Sequence, residues 1–453
     1  MRTRLAVVLA RVLPQGALLL SVLTFASYAM GLVRDRIFAR TYGAGLELDA
    51  YNAAFVLPEL ALDVIVASGL TAPFIPIFLS LRRDGLDGAV RFAQTVLMGA
   101  VLAMGVVCAV LFVIAPATVD VVAGGFEGPQ RELYVDLFRL MLATPVLFAA
   151  SIALGEVLVA ERRFLWYALG PILYNAGIVA GTVLFHDAIG VRAAAVGAVI
   201  GAALHLGIRI VGIVRSPIRM RPRMEIRTPA VREFVRLMIP KMASHPIEPL
   251  TFLFFTSIAT TLAAGSVTAV SFARNFQSVP VSLIGVAFSL AAFPALAAAW
   301  AAGDRRAFLR LVGTNFVTIG VLTTGAAVGL VVVGPIAIEV LLGGGAFDAE
   351  DVALTATVLA AFALAVPFDS LAHLLARSVY ATHNTILPVL SSLGGFGVTL
   401  AVTSALVGER GVVAIPLGFA AGTAVKTLLL GVSLAIRLRL PDAPRRPLSA
   451  RPR

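Results

Sequence analysis

The chain has 453 residues, 59% of them hydrophobic and 13% charged, with a mean hydropathy of +0.95. Soluble domains carry about 25% charged residues, so a soluble globular protein is excluded. The net charge of +11 is almost all arginine, since only Lys241 and Lys426 are lysines; in so apolar a chain it faces anionic lipid and sets topology, and nucleic acid is not an expected partner.

Twelve apolar runs follow one another, each close to or above the ~20 residues that a spanning helix needs. They are Gly16–Leu32, Ala50–Leu81, Phe92–Ala115, Glu132–Ala160, Phe164–Phe185, Ala193–Val214, Phe234–Ala264, Val267–Ala302, Leu311–Leu342, Val352–Tyr380, Ile386–Val407 and Val412–Ile436. The first reads as a retained span, not a cleaved signal. Runs such as Val96–Ala115 lack the period-two alternation of a barrel strand, and lipid admits only helices or closed barrels. The prediction is an all-α polytopic membrane protein with about 12 transmembrane helices. Placing both termini in the cytoplasm leaves only Arg34, Arg36, Arg40, Arg131, Arg192 and Arg410 in outer loops, the asymmetry that orients such proteins. Three of those six cluster at the end of the first span, which reads either as a solvated loop or as the lining of a water-filled cavity.

Arg215–Arg236 is the one long basic linker, with Pro217, Pro222 and Pro229, and it divides the spans six and six. The predicted organisation is an N-terminal six-helix lobe (1–214), a basic cytoplasmic linker (215–233), a C-terminal six-helix lobe (234–438) and a basic cytoplasmic tail (439–453). The halves look duplicated. Pro58 and Pro73 in the second span match Pro280 and Pro294 in the eighth. Gly124-Gly125-Phe126 ahead of Pro145 matches Gly345-Ala346-Phe347 ahead of Pro367. Both halves start on the same side, which implies a pseudo-two-fold axis along the membrane normal. That is the plan of alternating-access transporters, with substrate between the lobes.

Ionisable groups inside spans each cost a few kcal/mol or more and need a reason. Arg34, Asp35 and Arg36 end the first span; Asp49, Glu59 and Asp63 follow in and near the second. Arg34 and Asp35 can pair locally. Glu59 and Asp63, four apart, share a face and fit either a cation or an arginine from another helix. Pro240-Lys241 and His245-Pro246-Ile247-Glu248-Pro249 break span seven. Arg274 in span eight has no acid beside it, which suggests either an anionic ligand, since guanidinium matches phosphate bidentately, or an ion pair with the other lobe. Asp369, His373 and Arg377 recur every four residues in span ten, either as a polar seam or, for Asp369 and His373, a candidate proton or cation relay. No P-loop, His-Glu-x-x-His or Gly-x-Ser-x-Gly motif is present. One cysteine, Cys108, and five dispersed histidines exclude a disulfide and argue against a metal site. The chain is therefore expected not to be an enzyme and to hold no cofactor or metal.

A colinear set of blocks then carries a resemblance. Gly31-Leu-Val-Arg34-Asp35, Tyr42-Gly-Ala-Gly45, Asp49-Ala50 and Leu57-Pro58 come first, followed by Pro73-Phe-Ile-Pro76. Pro280-Val-Ser-Leu-Ile-Gly-Val-Ala287, Phe293-Pro294, Gly345-Ala-Phe-Asp348 and Ala376-Arg377-Ser-Val-Tyr380-Ala381 to Pro388 complete it. This pattern resembles the MviN/MurJ family, the lipid II flippases of the MOP superfamily. The resemblance implies a two-lobed helical transporter of the bacterial cytoplasmic membrane that moves an undecaprenyl-diphosphate-linked peptidoglycan precursor outward. It implies a cationic central cavity for the diphosphate and sugars, with Arg34, Asp35, Asp49 and Arg274 at matching family positions. On the reading of the residues themselves, Lys241 and Arg36 join Arg34 and Arg274 as expected substrate contacts, and Glu59 and Asp63 join Asp35 and Asp49 as expected gate or ion-pair residues. Arg274 corresponds to the family arginine of helix eight, with one residue of slip before Pro280. Departures from the pattern are Tyr28, Val56 and Leu62-Asp63 where the family carries basic residues, and two C-terminal helices that the chain is expected to lack. A sodium or proton gradient or the membrane potential is the expected energy source, and cell-wall synthesis proteins are candidate partners. Export of another lipid-linked oligosaccharide, cation-coupled efflux of amphiphiles, and a non-transporting cell-wall scaffold are the other readings.

Overall fold

The computed structural model describes residues 17–244 and 246–439. The terminal arginines counted in the topology (Arg2, Arg4, Arg11 and those beyond 439) and His245 lie outside the described residues.

Among the described residues every regular element is helical. The helices are α1 (Ala17–Tyr42), α2 (Leu46–Leu62), α3 (Ser68–Asp84), α4 (Leu86–Val113), α5 (Ala115–Val122), α6 (Gly128–Met141), α7 (Ala143–Ala160), α8 (Phe164–Ile189), α9 (Arg192–Val214), α10 (Pro229–Ser244), α11 (Ile247–Ala259), α12 (Ser266–Pro280), α13 (Ala287–Ala301), α14 (Arg305–Leu341), α15 (Ala349–Ala363), α16 (Val366–Ala381), α17 (Ile386–Arg410) and α18 (Ala414–Arg439). Each of the twelve expected runs falls on one helix or a broken pair. By length and apolarity alone, eight continuous helical segments qualify as spans among the described residues, or nine with the bent pair α15–α16, which turns by 41°. Helix breaks and joins account for part of the difference from twelve. α11 is a short apolar helix that starts after the proline-rich break at Pro246. α17 and α18 join through the 3₁₀ turn Gly411–Val413 and pack on each other.

The paired prolines mark a shared irregularity. Between Pro58 and Pro73 the helix widens into a π segment, Asp63–Ala67; between Pro280 and Pro294 it does so again, Val281–Val286. A proline removes an intrahelical donor, and the π turn redistributes the freed carbonyls. The same break at the same place in both halves is what a duplicated unit leaves behind.

The chain forms two compact units: residues to Ser271 with Ala337–Ala353, and Phe272–Ile336 with the residues from Leu354. The first therefore reaches well beyond the linker at 215–233. That linker is not a free tether, because Gln94 Nε2 donates to the Arg219 carbonyl (3.1 Å) and the Glu225 N–H donates to Thr95 Oγ1 (3.0 Å), fixing it on α4.

Within each unit, helices meet through small residues, the packing that lipid favours where burial gives little drive. In the first, α8 and α9 bring Gly177 against Gly201 and Gly181 against Gly197. In the second, α17 and α18 do the same with Gly395 against Gly422 and Gly418 against Thr403. The second unit's apolar core gathers Trp300, Phe308, Leu374 and Leu430.

A Cβ at Gly197 would strike the Ile178 backbone, so Gly197→Leu should lower stability by about 1–3 kcal/mol. Gly207→Leu, on the same helix but facing open space, should not. Thermal unfolding of the two purified variants in detergent checks this.

Candidate functional site

The last turns of α1 hold three arginines, and each is bound differently. Arg34 Nε and Nη2 both donate to Asp35 Oδ1 (3.0 and 2.7 Å), and Nη1 donates to Asn175 Oδ1 of α8 (3.1 Å). Asn175 is oriented for this, because its own Nδ2 donates to the Pro171 carbonyl (3.1 Å). Three of the five guanidinium donors are thus used, on a side chain that remains 27% exposed. Tyr51 of α2 and Tyr174 of α8 lie within electrostatic reach of Arg34 and of Glu59. Glu59 is exposed and Asp63 half-buried one turn on, where the Asp63 N–H still bonds the Glu59 carbonyl.

Arg36, an expected substrate contact, reaches a helix end. Its Nη1 donates to the carbonyls of Val340 (2.7 Å) and Leu341 (2.8 Å), the last turn of α14. A guanidinium there satisfies orphan carbonyls and meets the negative end of the helix dipole. Arg40 Nη2 donates to the Gly343 carbonyl (2.8 Å), and the Arg40 carbonyl accepts from the Ala346 N–H (2.9 Å). These two arginines hold the end of α14 and the loop after it.

Asp49 is the counterpart at a helix start. It is buried, and its Oδ2 accepts from the Gly265 N–H (2.7 Å) while Oδ1 accepts from the Thr268 N–H (2.8 Å) and Thr268 Oγ1 (2.6 Å). Gly265 precedes α12 at the N-cap and has no side chain, so Asp49 on α2 caps α12 from outside. Glycine is required there: φ is +87°, and a Cβ would collide with the Ala44 carbonyl. Ala44 is itself fixed, its N–H donating to Asp351 Oδ2 of α15 (3.0 Å). Asp348 caps α15, its Oδ1 accepting from the Glu350 and Asp351 N–H groups (2.8 and 3.0 Å).

Together these contacts form a clasp within the first unit, from the α1–α2 turn to the start of α12 and the loop before α15. It has internal symmetry. Gly125 lies against the Thr260 carbonyl at the end of α11, and Gly345 lies against the Arg40 carbonyl at the end of α1. Each Gly-x-Phe loop thus rests on the end of the first span of the opposite repeat.

The remaining expected residues lie on α10, α12 and α16. Arg274 is half-buried on α12 and belongs to the second unit, whereas Lys241 is exposed on α10 in the first. Asp369 and His373 are half-buried on α16, one turn apart, with no hydrogen bond between them among the described residues. Asn175, Thr268 and Asp351 were not anticipated. Asp351 carried a signal, since Asp348-x-x-Asp351 has capping spacing at a helix start; Asn175 and Thr268 carried none.

The sequence profile of the family described as lipid II flippase MurJ matches residues 38–445. The lipid II flippase MurJ of Burkholderia cenocepacia is 26% identical over 437 residues, 93% of this chain and 84% of that one. A probable lipid II flippase MurJ of Thermotoga maritima is 28% identical over 371 residues, 82% of this chain and 74% of that one. Among solved structures, the lipid II flippase MurJ in an inward closed conformation aligns with a TM-score of 0.80 at 21% identity, covering 92% of this chain and 88% of that one. An inward-facing multidrug resistance MATE family transporter of the MOP superfamily aligns at 0.79 and 13% identity, covering 91% and 94%.

Asp49→Ala removes three hydrogen bonds from the start of α12 and should weaken the clasp by about 1–3 kcal/mol. In a Cys108→Ala background, a cysteine at Ala44 should then react roughly tenfold faster or more with maleimide, the factor that 1.4 kcal/mol corresponds to. Equal rates with and without Asp49 would contradict this role.

Proposed function

Since this chain belongs to the lipid II flippase MurJ family, with the family profile covering residues 38–445, we propose that it carries lipid II outward across the bacterial cytoplasmic membrane by alternating access. The reading rests above all on Arg34. Its guanidinium is oriented by Asp35 and Asn175 yet keeps two free donors and partial exposure. A planar fork of this kind suits the diphosphate that joins the polyprenyl chain to the sugars.

In the proposed cycle, Arg34 is the clamp on the diphosphate, and Arg274 and Lys241 are further proposed contacts of the substrate. Asp35 holds Arg34 when no anion is present and yields it when one arrives. The clasp of Asp49, Arg36 and Arg40 closes one end of the path, taken as the outer end on the proposal that both termini are cytoplasmic. Opening requires Asp49 to leave the α12 terminus and the arginines to leave the α14 carbonyls. Substrate binding at the cytoplasmic face and release at the other face then alternate. The membrane potential supplies about 2.3 kcal/mol per charge per 100 mV to such a step. Enzymes that make lipid II inside and consume it outside are the natural partners.

Arg34→Ala and Arg274→Ala should each reduce outward exposure of labelled lipid II by about 10–100-fold, since hydrogen bonds to charged groups contribute about 1.5–3 kcal/mol. Exposure is read in cells or proteoliposomes at matched protein levels. Near-normal flipping in both variants rejects the clamp.

A further inference from the structure

A carboxylate in the first unit has no part in the clamp or the clasp. Glu156 on α7 is only 4% exposed and lies near Arg209 of α9, which is 5% exposed. Glu156 Oε1 accepts from Thr71 Oγ1 of α3 (3.1 Å); Oε2 is buried with no hydrogen-bond partner. Arg209 Nη1 donates to the Ser151 carbonyl (2.6 Å), its guanidinium lies over the Tyr167 ring (4.8 Å), and its Nε is buried without a partner. Gly155 leaves the space that this guanidinium fills, since a Cβ there would collide with it. His205, one turn before Arg209, sits with Nδ1 2.7 Å from Ser151 Oγ and is also buried. The sequence alone left Glu156 unassigned.

Two opposed forces act on this carboxyl group. Removal from water favours the neutral acid, because an ionised carboxylate has about four acceptor positions and this one has a single hydrogen bond. The Arg209 charge favours the ionised form. A group so placed has two accessible states, and the proton is what separates them. The other charges on the elements packed around α7 are mostly bound elsewhere: Arg82 of α3 to Glu161, Arg91 of α4 to Glu225, and Asp136 of α6 to Arg192. Glu59 and Asp63 stand on α2 and the adjoining π segment.

Thr71 gives the site both a route and a lever. It is exposed, while the carboxyl it bonds is not, and a hydroxyl can accept a proton on one side as it donates on the other. It also lies on α3 just after the π segment Asp63–Ala67. A hydrogen bond to a carboxylate is roughly twice as strong as one to a neutral acid, so protonation loosens the tie between α3 and α7 beside an existing helix irregularity.

We propose that Glu156 is a proton-binding site, loaded through Thr71 and opposed by Arg209, that couples lipid II movement to a proton gradient. On loading, the Thr71 hydroxyl accepts a proton from the exposed side as its own proton passes to Glu156 Oε1, so one Thr71 O–H bond forms, one breaks and a carboxyl O–H bond forms; release reverses these steps. The coupling rests on the flippase reading; the proton site itself does not, so two measurements separate them. Infrared difference spectra of the purified, reconstituted protein across a pH titration should show a carboxylic-acid C=O band that disappears in Glu156→Gln. Retention of every titrating band in that variant overturns the site. Thr71→Val, which keeps the carboxyl, should shift the midpoint of that band, and an unchanged midpoint overturns the role of Thr71. In proteoliposomes carrying labelled lipid II, the wild-type rate should change by up to about tenfold per unit of pH gradient. Glu156→Gln should flip at one rate at every gradient. A gradient response equal to wild type overturns the coupling, whereas a wild-type protein that flips nothing overturns the flippase reading and leaves the infrared result to decide the proton site.

Discussion

No helix end near a bilayer can leave its N–H or carbonyl groups bare, because hydrocarbon offers no water to satisfy them. That constraint organises the clasp. Gly265 starts α12 without a side chain to cap it, so Asp49 reaches across from α2. α14 runs out at Leu341 with free carbonyls, so Arg36 reaches across from α1. Each cap is supplied by another span. A contact that satisfies a helix end in this way also holds two spans together, and breaking it exposes both ends at once. Such a contact makes a two-state latch rather than a graded spring.

The same economy explains where the cations went. Three arginines within seven residues of α1 suggested one cationic surface. Two of them hold carbonyls of Val340, Leu341 and Gly343, whereas Arg34 meets side-chain oxygens of Asp35 and Asn175. Arg34 is aimed by a neighbour in sequence, Asp35, and by a distant one, Asn175, which is itself fixed on Pro171. A guanidinium oriented before the anion arrives loses less freedom on binding. The two kinds of contact, to side-chain oxygens and to helix-end carbonyls, lie within two turns of one helix.

Duplication runs through every level. Paired prolines flank a π segment in each half. Glycine seams join α8 to α9 and α17 to α18. The two Gly-x-Phe loops rest on carbonyls at the ends of α11 and α1. Against this background the buried Glu156, His205 and Arg209 cluster stands out, because the seam it adjoins is otherwise built of small residues.

Much of the architecture was legible beforehand. Apolar length gave the helices, because a spanning helix must pair its own backbone and needs little from its neighbours to do so. The prolines and glycines marked breaks and turns, because their constraints are local. The blocks carrying Arg34, Asp49 and Gly345 pointed to the working end. What remained illegible were the partners. Nothing near Arg36 announces α14 carbonyls some 304 residues away, and nothing near Asp49 announces an N-terminus 216 residues on. Apolar length and spacing by themselves determined that this is a duplicated helical membrane protein with arginines clustered at the end of its first span. Only the tertiary structure decided which partner each arginine meets, since a side chain's hydrogen bonds depend on what folding brings beside it.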